Sequence, residues 1–242
     1  MGKQLPNVVT KVSTADILTS LAKAWLHLFA KAPKRASLDV LAAQWALETG
    51  WGKSMHCFNV GNVKGKVGGD RNWTFFACNE ILSSASAHHF AQIDPEHAKI
   101  TADNGKSATI WFYPPHSGCC FRAFETLDAG VADYLSLLYH RFSGAWPAVL
   151  AGDPEAFAVK LHELRYYTAS VALYTSVLKK TYGTVAGVRV DMDALVAHDE
   201  PTKAALSGLM KLNEAEAAIS SVLDDDHVIE NADEKIDALK EI

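Results

Sequence analysis

The chain has 242 residues, of which 49% are hydrophobic and 21% charged. That balance suits one good-sized domain with an appendage and excludes intrinsic disorder. No apolar run reaches the roughly 18 residues that a membrane helix needs, and Met1-Gly2-Lys3-Gln4-Leu5-Pro6 leads into no secretory apolar stretch. Net charge is −5, unevenly spread: residues 1–184 hold 18 Lys+Arg against 14 Asp+Glu (+4), and residues 185–242 hold 5 against 14 (−9). A mildly basic body suits an anionic polymer, and it carries no basic stripe of the kind that binds nucleic acid.

Ile17, Leu18, Leu21, Trp25 and Leu28 recur at helical spacing and predict an amphipathic helix over 14–30, capped by Ser13 or Thr14 and ended by Pro33. A second helix is expected from near Ser37 to Gly50, with Leu38, Leu41, Ala42 and Trp45 on one side. Glu48 falls in its last turn, on the face of Leu41 and Gln44. From Cys57 to Phe121 no helical period holds, and Gly61, Gly65, Gly68 and Gly69 cluster. Two β-prone runs, Trp73–Cys78 and Ala108–Tyr113, flank a stretch rich in Ser, His, Asp and Asn that reads as a long hairpin arm or loop.

Helices then return. Thr126 caps one that carries Val131, Tyr134, Leu135 and Leu138; Asp153-Pro154 opens another; a third runs from about Ser170 to Tyr182, closed by Gly183. Beyond Val190 the chain is acidic and helix-prone. Ile229, Ala232, Ile236 and Leu239 step by 3, 4 and 3, a seam that either folds back on the body or docks a protein partner through residues 191–242. The expected class is α+β: a mainly helical body with a small β-hairpin lobe over 1–184, then an acidic helical extension over 185–242.

Cys57, Cys78, Cys119 and Cys120 match no metal spacing, so reduced, partly buried thiols are expected. A disulfide from Cys57 to Cys119 or Cys120 is the alternative. His88, His89, His97 and His116 share one region without zinc-ligand spacing and read as solvated loop histidines. No metal or cofactor is expected.

Glu48 ends an apolar helix, has Trp45 and Trp51 within three residues, and precedes the break Gly50-Trp51-Gly52. Near the negative end of a helix dipole and in apolar company, a carboxylate has its charged form disfavoured, which is the state a general acid needs. Aromatic faces nearby suit the apolar faces of sugar rings. Taken alone, a glutamate late in a helix is an ordinary solvated side chain.

The longer string Ala46-Leu47-Glu48-Thr49-Gly50-Trp51-Gly52-Lys53-Ser54, followed by Asn59-Val60-Gly61-Asn62-Val63-Lys64-Gly65, closely resembles the signature of the family 73 glucosaminidases. These are lysozyme-like enzymes that include flagellar and autolysin muramidases. Val60-Gly61-Asn62-Val63-Lys64 stands where the family has Leu-Phe-Gly-Ile-Lys. Three later fragments follow in family order. Trp73 to Glu80 resembles the first β-strand ending in Thr-x-Glu, with Cys78 and Asn79 breaking the usual wording. Phe121-Arg122-Ala123-Phe124-Glu125-Thr126 resembles Phe-Arg-x-Tyr-x-Ser. Leu164 to Ala169 with Tyr174 resembles Gly-Tyr-Ala-Thr-Asp and its following Tyr, although no Asp follows Thr168.

The resemblance covers about residues 14–184 and implies cleavage of a β-1,4 bond between N-acetylglucosamine and N-acetylmuramic acid in peptidoglycan glycan strands. It makes Glu48 the proton donor. Glu80, on a mobile β arm, activates water or stabilises the oxocarbenium ion, and Trp51, Asn62, Tyr167 and Tyr174 bind substrate. A lytic transglycosylase using Glu48 alone is the nearest enzymatic alternative; a non-catalytic glycan-binding module is the other. With no signal segment seen, the expected setting is a phage virion, an endolysin, or a cargo exported to the wall.

Overall fold

The computed structural model describes residues 1–29, 31–167 and 169–190, so the acidic segment with its 3-4-3 seam lies outside the described residues. Helix α1 (Thr14–Phe29) buries the expected stripe of Ile17, Leu18, Leu21 and Trp25. Its start is reciprocal: the Asp16 amide donates to Ser13 Oγ at 3.1 Å while the Ser13 amide donates to the Asp16 carboxylate at 2.9 Å.

The sequence suggested a one-sided apolar face for helix α2 (Arg35–Thr49), and the structure buries the helix all round. Every residue from Ser37 to Thr49 is buried, which makes it the central rod of the body. Alanines 42, 43 and 46 leave room for neighbours on faces that a surface helix would give to solvent. It packs against α1, α5 (Trp146–Ala151) and α7 (Val171–Ala186). Helix α4 (Leu127–His140) lies on α1 and is capped by Thr126, whose hydroxyl accepts from the Ala129 amide at 3.2 Å. Helix α6 (Pro154–Glu163) starts where Asp153 accepts from the amides of Glu155 and Ala156, both at 3.0 Å.

Helix α7 runs through Gly183, where a stop was expected. A glycine costs a helix interior about 1 kcal/mol, and burial of Leu178, Thr181 and Val185 on either side outweighs that. The Arg35 guanidinium then closes the helix by donating to the carbonyls of Val185 (3.3 Å) and Val188 (2.7 Å). Val188 and Val190 pack on the same core, so the packed body continues past 184.

The β lobe has its own smaller core. Strand β1 (Trp73–Phe75) pairs antiparallel with β5 (Cys120–Arg122). Strands β2 (Cys78–Ser83), β3 (Ala98–Asp103) and β4 (Ser107–Phe112) form an antiparallel sheet in the order β2-β4-β3. The run read as one strand, Trp73–Cys78, is thus split at Phe76-Ala77 between two sheets. The stretch read as a hairpin arm or loop instead holds helix α3 (Ser84–Ile93) and strand β3. Ser83 caps α3 by accepting from the Ser86 amide at 3.1 Å, and only Ala87 is fully buried in it. So short a helix, rich in Ser and His, leaves almost no apolar period to read.

All four cysteines are free and buried, and the disulfide alternative is not formed. Cys57 sits with Leu5 and Ala123, whereas Cys119 sits with Cys78 in the β lobe. The Cys57 thiol donates to the Pro6 carbonyl and the Cys119 thiol to that of His116, both at 3.2 Å. Burial pushes the Cys119 thiol up to about 11, which keeps it protonated and unreactive. The α+β class stands as expected. Among the described residues no helix is long and apolar enough to cross a membrane.

Candidate active site

The local chemistry of Glu48-Thr49-Gly50-Trp51-Gly52 explains how α2 ends. Gly50 takes the left-handed conformation (φ 55°) and returns its amide to the Ala46 carbonyl, a position where a side chain would cost stability. Trp51 continues at φ 60°. The Thr49 hydroxyl stitches the reversal, donating to Trp45 O at 2.7 Å and accepting from the Gly52 amide at 2.9 Å. The turn sets Trp51, half-buried, edge-on to Trp45 with centroids 6.5 Å apart. Glu48 is held on the buried side of this turn, 3% exposed.

Aromatic hydroxyls surround the carboxyl. Tyr174 O–H, from α7, donates to Glu48 Oε1 at 3.0 Å. Gln44, one turn before Glu48, donates to the Tyr174 oxygen at 3.5 Å and accepts at Oε1 from Tyr134 of α4. Burial first, and the Glu48 carboxylate next, hold the phenols of Tyr166 and Tyr174 well above their ordinary range. Burial, then Tyr166, then Glu48 do the same for Tyr134. All three are therefore hydrogen-bond donors at any physiological pH.

The residues singled out from sequence occupy different places around this carboxyl. Tyr167 stacks face to face on Tyr174 (3.8 Å, 11°) and spends its hydroxyl on Ala158 O at 2.9 Å. It braces the tyrosine that touches Glu48. Its neighbour Tyr166, which the sequence reading passed over, is only partly buried, packs on Phe142, and lies within the field of Glu48 and Arg122. Asn62 donates through Nδ2 to the backbone carbonyl of Glu48 at 2.8 Å, tying its loop to the end of α2. Asn62 Oδ1 is buried without a hydrogen-bond partner among the described residues.

Glu80 is not on a solvated arm. It stands within β2 opposite Ile110, with its side chain 4% exposed and its Oε1 2.8 Å from Lys64 Nζ. Lys64 also donates to Gly118 O at 2.6 Å and lies 4.1 Å over the Phe121 ring. The loop from Asn59 to Gly65 thus touches Glu48 through Asn62 and Glu80 through Lys64. Asn59 holds it in shape, donating to the carbonyls of Val63 (2.8 Å) and Arg122 (3.0 Å) and accepting from the Val63 amide at 2.8 Å. Gly65 presses against the Phe121 backbone, where a Cβ would stand 2.6 Å from its carbonyl carbon. Among the described residues no group of three His, Cys, Asp or Glu side chains converges as a metal site.

A buried carboxyl with a tyrosine donor beside aromatic rings can deliver a proton to an ether oxygen, and a second carboxylate, Glu80, stands on the β lobe in an ion pair with Lys64. Two solved structures are similar to the chain. A C-terminally truncated glycoside hydrolase domain of FlgJ from Salmonella typhimurium is 19% identical, with a TM-score of 0.41, over 73% of this chain and 100% of that one. A peptidoglycan hydrolase mutant from Sphingomonas sp. A1 is 20% identical, with a TM-score of 0.42, over 81% of this chain and 97% of that one. No curated protein sequence matches. The glucosaminidase family, described as mannosyl-glycoprotein endo-beta-N-acetylglucosaminidase, matches residues 30–187. That span holds Glu48, the tyrosines around it and the whole β lobe, and the chain belongs to this family of glycosidases.

Proposed function

We propose that the chain hydrolyses the β-1,4 bond on the reducing side of N-acetylglucosamine in peptidoglycan glycan strands, at the bacterial cell wall, with Glu48 as general acid. The observation that carries this reading is the buried Glu48 carboxyl, held by Tyr174 and backed by Gln44 and Tyr134. Glu48 gives its proton to the leaving glycosidic oxygen while water attacks the anomeric carbon. The proton lost by that water goes to Glu80, or the substrate N-acetyl group assists the attack. Lys64 holds Glu80 within reach of the loop that also touches Glu48. Trp51 and Tyr166 line the sugar site, with Asn62 fixing the floor between them. Residues 191–242, carrying their surplus of acidic side chains, serve as a docking segment for a protein partner.

Two substitutions test the division of labour. Tyr174→Phe removes the hydroxyl on Glu48 Oε1 while keeping the stack on Tyr167. Turnover on purified peptidoglycan is expected to fall about tenfold, as one hydrogen bond to an ionisable group is worth roughly 1.5 kcal/mol. KM is expected to stay near that of the parent, and loss of binding with unchanged turnover would assign Tyr174 to substrate instead. Glu80→Gln keeps the shape of β2 but removes the charge facing Lys64. Release of reducing ends is expected to fall between about tenfold and 10²-fold, without loss of binding to insoluble walls. Parent rates in this variant would leave Glu48 acting with substrate assistance alone.

A further inference from the structure

The sheet β2-β4-β3 has two unlike faces. Ala108, Ile110 and Phe112 of β4 point to the lobe core and α3, and the alternate residues Thr109 and Trp111 point away. On that outer face Trp111 is half-buried and Tyr113, just past the strand, is 38% exposed. Their rings are near-parallel, 22° apart with centroids at 6.2 Å. Among the described residues Trp111, Tyr113 and Ile81 belong to none of the buried clusters. In register with Trp111 stand Asn79 on one side and the exposed Lys99 on the other.

We propose that this outer face is a glycan-binding platform, separate from the Glu48 site, that holds a peptidoglycan strand; it rests on the peptidoglycan reading above. Two near-parallel aromatic rings, one near the end of the strand and one just past it, present apolar surfaces to sugars, whose C–H faces pack on them as apolar groups pack on any aromatic. Asn79 supplies an amide beside the rings for hydroxyl and acetamido groups. Lys99 supplies the positive charge that a neutral glycan does not need. Peptidoglycan does present its complement, in the carboxylates of its muramic acid and stem peptides. The surplus of 18 basic over 14 acidic residues in 1–184 has the same sign. The platform keeps an insoluble polymer at the β lobe between turnovers, so it acts on wall binding rather than on the chemical step.

The test uses the full chain carrying Glu48→Gln, so that binding is read without cleavage. Trp111→Ala and Tyr113→Ala are each expected to weaken binding to insoluble peptidoglycan about fivefold or more, the usual effect of truncating an aromatic anchor. Trp111→Phe retains most of the binding. Lys99→Glu is expected to weaken it at low salt, with the difference closing as ionic strength rises. With Glu48 restored, Trp111→Ala slows digestion of whole walls and leaves turnover of short soluble glycan fragments at the parent rate. Parent-like wall binding by folded Trp111→Ala and Tyr113→Ala overturns the platform, as does a self-associated chain that these substitutions dissociate. If the parent chain neither binds nor cleaves peptidoglycan, the proposed function itself fails; if it does both and the substitutions change nothing, only the platform fails.

Discussion

Glu48→Gln is expected to lower turnover by at least about 10²-fold, the usual worth of a positioned general acid, while leaving the fold intact. The side chain is 3% exposed at the end of a helix that is buried all round. Glutamine has the same shape, and its amide oxygen still accepts the Tyr174 hydroxyl that now reaches Oε1 at 3.0 Å. What it lacks is a proton to give. Thermal unfolding within a few degrees of the parent, together with collapse of glycan cleavage, separates a chemical loss from a structural one. Lysis at the parent rate would remove Glu48 from the mechanism.

The largest expected effect on stability is at Asp133. This residue of α4 is 1% exposed and bonds Arg71 Nε through Oδ1 and Arg122 Nη1 through Oδ2, each at 2.8 Å. One guanidinium precedes β1 and the other ends β5, so a single carboxylate ties the two-stranded ribbon to the helical body. In Asp133→Ala, Arg71 and Arg122 lose the carboxylate that offsets their mutual repulsion in a place with little water. Breaking a buried pair from one side costs about 3–5 kcal/mol. For a domain of this size that lowers the unfolding midpoint by on the order of 10 °C. Asp133→Asn, which keeps the shape but not the charge, is expected to fall between. Calorimetric or circular-dichroism melting checks both, and an unchanged midpoint for the alanine variant would mean that the ribbon is held by packing alone. Activity is expected to fall with stability, because the Arg122 carbonyl also holds Asn59, which shapes the loop that touches Glu48.

What could be read from the sequence was local. Ser13 at the start of α1, Thr126 before α4, Asp153-Pro154 before α6 and Gly50 after α2 each act on the residues beside them, so their signals survive without the fold. The end of α2 just after Glu48 was legible for the same reason, because the turn is written in the four residues that follow; Glu48 itself stood out only through the longer family string. The misses were decided by distant partners. Gly183 reads as a helix end until burial of Leu178 and Val185 is known. Helix α3 draws its support from the sheet beneath it and not from its own Ser- and His-rich surface. Tyr166 and Tyr167 are adjacent and chemically alike. Which of them stacks on Tyr174 and which packs on Phe142 depends on the turn at Arg165, held at φ 57° without a glycine to announce it. The pairing of Lys64 with Glu80 joins a loop to a strand of another sheet, and no spacing rule predicts it.

Hydrolysis at N-acetylglucosamine driven by Glu48 is read most directly from the chemistry left at the cut ends. Mass spectrometry of the fragments released from purified peptidoglycan by the parent chain, with Glu48→Gln alongside, is the measurement. The fragments are expected to end in reducing N-acetylglucosamine, each heavier by one water than the corresponding anhydro product, and the variant is expected to release them at least about 10²-fold more slowly. Fragments ending in 1,6-anhydromuramic acid would contradict hydrolysis, because that end forms when the sugar's own hydroxyl, and not water, completes the reaction.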